Sequence, residues 1–207
     1  MTFLELLTDV ARLVQSDGSA TSDAIDIANS SFKADVNKYL KAFSVEAMMI
    51  FTYEATLTVT LDSRIGTTSP IVFHPLKVVL NGTNITRSAQ DDALSPLVAA
   101  ESGMPSMYFI NSNDTIRFSC PLNAAALTGR KFVDGFSVHP TLSANDDVVQ
   151  CGVQDEEALA KYIAYRLGEP VASDDISVAR LNAYAEFAQT GIARILGRNK
   201  ARHMRRT

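Results

Sequence analysis

The chain is poor in the residues that carry chemistry. Its 207 residues include two cysteines and three histidines. Cys120 and Cys151 lie far apart and match no metal or redox spacing, so they read as reduced packing residues of a reducing compartment. His74 and His139 each precede a proline, which favours extended backbone. No Cys, His or carboxylate stands at ligand spacing beside either one. They therefore read as polar residues at turns, not as metal ligands or acid–base groups. No phosphate-binding glycine loop, no Gly-x-Ser-x-Gly and no His-Glu-x-x-His occurs. The acidic pairs Asp91-Asp92 and Asp146-Asp147 fall in polar loops. Glu156-Glu157 and Asp174-Asp175 read as charges at helix starts, where the helix dipole favours them. No catalytic residue, metal ligand or cofactor is expected.

Long apolar runs are also missing. No stretch of 18 or more apolar residues exists, so no membrane span and no membrane partner is expected. The opening "MTFLELLTDVARLV" lacks a basic n-region and is broken by Glu5 and Asp9, which excludes a secretory signal and implies folding in a cytoplasm. Without secretion, the sequons at Asn81 and Asn84 carry no meaning.

What the chain does have is a core and an uneven charge. It is 46% hydrophobic and 20% charged, as a globular protein of one large or two small domains would be. Acidic residues outnumber basic ones 23 to 19. Yet the end, "RILGRNKARHMRRT", holds Arg194, Arg198, Lys200, Arg202, Arg205 and Arg206 and no acid; His203 sits among them. Without those six, 13 basic residues face 23 acidic ones, so a body near −10 precedes a +6 terminus. Such a cluster suits nucleic-acid phosphates through counterion release, or an acidic partner. It also suits a solvated, frayed terminus. No aromatics interleave it to stack on bases.

Hydropathy reads as helices, then strands, then helices. Thr2 and Glu5 have capping-box spacing, followed by a face of Phe3, Leu6, Leu7, Val10, Leu13 and Val14. "QSDGSATSD" reads as a turn. Thr21 or Ser22 then caps a second helix whose apolar residues run from Ala24 through Ile27, Ala28, Phe32, Val36, Tyr39 and Leu40 to Phe43. Near residue 47 the period drops to two. In "FTYEATLTVTL" the apolar set is Phe51, Tyr53, Ala55, Leu57, Val59 and Leu61, with Thr or Glu between, which reads as one buried and one wet strand face. A strand to Leu80, an Asn81-Gly82 hairpin turn and a return strand follow. "SMYFI", "TIRFSC" and "FVDGFSVHP" give short strands, and residues 92–103 read as loop.

Helical periodicity resumes near Gln154 and stops at Gly168 and Pro170. Ser173 caps a last helix of roughly 24 residues, a rod of roughly 36 Å. It carries one apolar stripe through Ile176, Ala179, Ala183, Phe187, Ile192 and Ile195. Val178, Leu181, Ala185 and Ala188 form a second. A helix apolar on two faces has neighbours on two sides, inside the chain or on another subunit. The expected class is α+β: a helical bundle built from both chain ends, residues 1–46 and 153–207, with an antiparallel β-rich, sandwich-like insertion over 47–152. The basic tail begins at about residue 197.

The stretch "GMPSMYFINSNDTIRFSCPLNAAALTGRKFVDGFSVHPTLSANDDVVQCGVQDEEALAKYIAYRLGEP" resembles the head-to-tail adaptor proteins of short-tailed, double-stranded DNA phages. The likeness rests on Gly103 and Pro105 before an aromatic strand with Tyr108 and Phe109. "IRFSCP" with Pro121 follows, then "FSVHP". An Ala158-Leu159-Ala160-x-Tyr162 helix and a closing "ARLNAYAEF" helix complete it. The opening helix–turn–helix is also similar to the family. The chain departs from the pattern in having no Trp and no Pro-x-Pro after the Ile116 strand.

The resemblance implies a structural connector, not an enzyme, located at the neck of the virion and assembled in the host cytoplasm. It implies a ring, typically of about twelve copies, beneath the portal protein and joined to a tail or nozzle protein. Genomic double-stranded DNA would pass through the lumen. Val178, Leu181, Ala185 and Ala188 would then face a neighbouring subunit. The basic terminus would dock onto the portal, the favoured reading, or line the lumen against DNA phosphates.

Other classes predict other features. A β-sandwich or tail-fibre-type module that recognises a host ligand needs exposed aromatics on its strand loops. The aromatics here read as buried-face residues. A small hydrolase needs His74 or His139 beside a carboxylate. A DNA-binding repressor conflicts with the acidic body.

Overall fold

The computed structural model describes residues 1–15, 25–88, 101–110, 115–169 and 175–204. The chain divides into two compact units. One comprises Met1–Ile50 with His139–Thr207, the other Phe51–Val138. The segment from His139 to Cys151, expected with the strands, thus belongs with the helices.

In the helical unit, α1 (Phe3–Gln15) starts where the capping box places it. The Thr2 amide donates to Glu5 Oε2 at 2.6 Å, and the Glu5 amide donates back to Thr2 Oγ1 at 3.3 Å. Phe3, Leu6, Leu7 and Val10 are fully buried. Helix α2 (Ser30–Glu46) starts later than its apolar spacing suggested. The Asp26 side chain accepts from the Ala28 amide, and Asn29 caps the helix by accepting from Ser31 N at 2.8 Å. Short polar side chains that bond nearby amides set this boundary against the three–four spacing of Ile27 and Ala28. Thr21, Ser22 and the "QSDGSATSD" turn lie largely outside the described residues. Helices α4 (Glu156–Gly168) and α5 (Asp175–Met204) follow a 3-10 turn at Val153–Asp155. Residues of α1, α2, α4 and α5 share one apolar core.

The segment between His139 and Cys151 is tied to the helices by polar contacts. The Phe3 and Leu4 amides donate to the carbonyls of Asp147 and Asn145. Asn37, on α2, is 7% exposed. It donates to the Leu142 carbonyl at 3.0 Å and accepts from the Leu142 amide at 2.8 Å. A buried side-chain amide thus stands in for a strand neighbour.

The second unit holds β1 (Ile50–Val59), β2 (Ile65–Ser69), β3 (Val72–Leu80), β4 (Thr83–Arg87), β5 (Met107–Ile110), β6 (Ile116–Phe118), α3 (Ala124–Leu127) and β7 (Phe132–Ser137). The strands form a closed barrel in the order β1-β2-β6-β5-β4-β3-β7. This corrects the sandwich-like expectation. It also corrects the wholly antiparallel one, because β4 and β5 pair in parallel through Thr86↔Met107 and Arg87↔Tyr108. The physical reason lies in irregular strands. Register shifts on β3 at Val72/His74 and Pro75/Lys77 curl the sheet as bulges do. The strand β2, absent from the sequence reading, supplies the wall between β1 and β6. Leu57, Val78, Leu80, Ile116 and Phe118 fill the interior. The Asn81-Gly82 hairpin forms as read, with φ of +47° and +75°, as a type I′ turn requires.

Strand β1 departs from its expected faces. Past residue 54 the alternation holds, with Ala55 and Leu57 buried and Thr56 and Thr58 exposed. Glu54 itself has φ +55°, and its amide donates to Asp134 Oδ1 at 2.7 Å instead of to a ladder carbonyl. Ahead of this kink the faces exchange. Thr52 Oγ1 meets the buried Ser137 hydroxyl at 2.7 Å, while Tyr53 is 57% exposed. Phe51 packs edge-on against Tyr53 and Phe136. Phe51 and Tyr53 therefore do not share the face of Ala55 and Leu57. Leu61 lies in the turn after β1 and is exposed.

Candidate assembly interface

Helix α5 has 30 residues, a rod of about 45 Å, longer than the sequence indicated. One side packs on α4. Ala188 is 1% exposed. Gly168 lies against Leu181, and Ile195 is buried. Of the residues read as a subunit-facing stripe, Ala188 is thus enclosed by its own chain. Leu181 and Ala185 are half-buried, and Val178 is 44% exposed. Ala179 and Ala183, from the other stripe, are exposed. Phe187 is partly exposed, with the Lys161 ammonium 3.8 Å from its ring centroid. Ser173 lies outside the described residues.

The cationic end divides into parts with different surroundings. Helix continues to Met204, so residues 197–204 are not a loose tail. Arg194 and Arg198, one turn apart, meet the same carboxylate. Asp155, just before α4, is 3% exposed. Arg194 Nη2 donates to Asp155 Oδ1 at 3.1 Å and to the Gln154 carbonyl at 2.8 Å, and Arg198 Nη2 donates to Asp155 Oδ2. Asn199 Nδ2 donates to the Met48 carbonyl at 2.6 Å. Lys200 is exposed. Arg202 is a helical residue one turn past Arg198; Arg205 and Arg206 lie outside the described residues. Cations in the last turns also complement the helix dipole.

Asp155 is a residue that the sequence pattern does not single out, because it stands beside the helix-start acids Glu156 and Glu157. The available signal was positional. Arg194 and Arg198 share one helix face at the margin of the stripe that holds Ile195, and two cations one turn apart there call for an acid.

His139, Asp147, Glu156 and Glu157 have structural partners. His139 is 1% exposed. Its Nδ1 lies 2.7 Å from the Pro140 carbonyl, and its Nε2 accepts from the Gln150 amide at 3.0 Å. That fixes the neutral tautomer with the proton on Nδ1. Burial holds its pKa below the usual histidine value, partly opposed by the Pro140 carbonyl and reinforced by Lys41. Burial likewise lowers His74, with Arg87 adding to it. Neither imidazole meets a carboxylate among the described contacts. Burial, with Asp155 and Glu156 nearby, pushes the Cys151 thiol up to about 12, so it stays protonated and unreactive. Both cysteines are free thiols. Asp147 accepts from the Ser143 and Ala144 amides. Glu156 pairs with the Met1 amine and Glu157 with Lys161. Asp91, Asp92 and Asp174 lie outside the described residues. Among the described residues no group of three or more His, Cys, Asp or Glu could hold a metal ion, and no helix is long and apolar enough to cross a membrane.

This arrangement offers surfaces for assembly: a long helix with an open side and a cationic end. No curated protein matches the chain. The family model of the SU10 adaptor protein matches residues 1–207. Matched over its whole length, the chain belongs to the SU10 adaptor protein family, a structural and non-enzymatic kind of phage protein found in the virion among other head and tail proteins.

Proposed function

We propose that this protein is a head-to-tail connector of a short-tailed phage. Copies assemble as a ring beneath the portal, and the ring joins capsid to tail while genomic DNA passes through its lumen. In this reading, helices from both chain ends form the bundle that builds the ring, and the barrel is an inserted module. The observation that carries the reading is helix α5. One side of it packs on α4, Val178 and Phe187 at opposite margins of that contact are exposed, and its end is cationic. A closed cyclic assembly needs unlike patches on one subunit. The cations beyond Arg198 then dock onto an acidic protein surface of the portal. DNA is the weaker partner, because the acidic body opposes an approaching polyanion.

The test is the mass of the purified protein with and without portal rings. A defined higher-order complex on portal rings is expected, and removal of residues 200–207 should abolish attachment. A protein that stays monomeric beside portal rings would overturn the reading. Attachment that survives the truncation would move the contact elsewhere. Tail-dependent DNA binding that falls steeply with salt would instead favour the lumen.

A further inference from the structure

We propose that Asp155 is the positioning residue of the cationic end. It commits Arg194 and Arg198 to the chain's own fold and thereby holds the last turns of α5 as a rigid helix. Lys200, past both of them, is exposed and left to face a partner. This inference rests on the proposed role of that end as a contact surface.

Three observations carry it. First, Asp155 is buried and accepts from both guanidiniums, one on each carboxylate oxygen. Charge-assisted bonds of this kind are directional as well as strong. Second, the buried hydrophobic residues of α5 among those described end at Ile195. Past that point the described side-chain hydrogen bonds to the rest of the fold are Arg198 to Asp155 and Asn199 to the Met48 carbonyl. Helix ends without apolar packing fray unless something else holds them. Third, the helix nonetheless runs to Met204, about 9 Å past Arg198. A segment ordered before it meets a partner avoids the entropy cost of ordering on binding.

The experiment uses the full chain and two variants, Asp155→Asn and Arg198→Gln. Amide hydrogen exchange in residues 196–204 should rise by about tenfold or more in both, while exchange in α4 at Leu159–Ile163 stays as in the wild type. Binding of an oligodeoxythymidylate of about 12 nucleotides, used purely as a polyanion, supplies a second reading. Asp155→Asn removes the charge that neutralises Arg198, while Arg194 keeps the Gln154 carbonyl, so its salt slope should be steeper by about 0.7, the value per cation on a single strand. Unchanged exchange in residues 196–204 in both variants would overturn the proposal. So would equal opening of α4, which would make Asp155 merely structural, or an unchanged slope. If the exchange result holds and the wild type does not attach to portal rings, the positioning role stands and the connector reading falls.

Discussion

Gly191 of α5 lies against Ala158 of α4 so closely that a Cβ at position 191 would stand 2.4 Å from the Ala158 Cβ. The missing side chain sets the distance between the two helices, and with it the reach of Arg194 and Arg198 to Asp155. Glycine inside a helix costs about 1 kcal/mol relative to alanine, so its presence here reflects the close approach.

Gly191→Val should separate the helices. Overpacking of this kind costs about 1–3 kcal/mol, and for a chain of this size each kcal/mol lowers the melting temperature by about 2–4 °C. Thermal denaturation checks the stability. Loss of protection at Arg194–Arg198 in hydrogen exchange checks that the loss acts through the α4–α5 contact. A variant as stable as the wild type would show that the helices can shift apart without cost.

Asn37 makes a different prediction. Both polar ends of its amide serve the Leu142 backbone, and Nδ2 also donates to the Lys33 carbonyl. Asn37→Ala would leave the Leu142 amide and carbonyl buried without partners, at about 1–3 kcal/mol for an unsatisfied group. Asn37→Asp keeps the acceptor and loses the donor, so it should be destabilising too, with the Leu142 carbonyl facing a carboxylate. Urea denaturation of both variants checks this. Equal stability of Asn37→Asp and wild type would show that the Leu142 carbonyl does not need its donor.

His139 gives the protein a defined acid sensitivity. Its folded pKa lies below its unfolded value, because burial disfavours the imidazolium. Above the unfolded pKa, near 6.5, both states are neutral there and the group leaves stability unchanged. As pH falls below that value the unfolded chain takes up a proton that the folded one refuses. Stability then declines, by up to about 1.4 kcal/mol per pH unit for one proton, until the folded pKa is reached. The facing charge is Lys41, and protonation would also set an N–H against the Gln150 amide. Burial lowers His74 as well, so it adds a contribution of the same sign. Urea denaturation between pH 7.5 and 5 should show the decline in the wild type, and His139→Gln should flatten it. An equally steep decline in His139→Gln would assign the sensitivity to another group.

Local chemistry was readable in the sequence where the partners are neighbours. Thr2 and Glu5 are three residues apart, and Asn81-Gly82 encodes its own turn. Non-local features were not. Nothing about a glutamate announces a left-handed residue, so the kink at Glu54 and the exchange of faces ahead of it went unread. Strand β2 shows no apolar alternation: Ile65 is exposed, and its buried residue is Gly66. Barrel closure depends on the β4–β5 and β2–β6 pairings, between strands distant in sequence. At the candidate site the six cations were evident from composition. Their division was not, because it depends on Asp155, which is 39 residues from Arg194 in the chain.

The open side of α5 makes the last prediction. Val178 is well exposed in the single chain, so a charge there disturbs little of the fold. Surface substitutions of this kind usually change stability by no more than about 0.5 kcal/mol. If that side is a lateral contact between subunits, Val178→Asp places an unpaired carboxylate in a buried apolar patch of the assembly, which is costly. Melting of the isolated protein should match the wild type, while assembly on portal rings, followed by mass photometry, should weaken by about tenfold or more. Ala188→Asp is the contrasting variant. Ala188 is enclosed by its own chain, so the same change there should unfold the protein before assembly is reached. Full assembly of Val178→Asp at wild-type concentrations would place the lateral contact on another surface, and would leave the length of α5 to be explained by its cationic end alone.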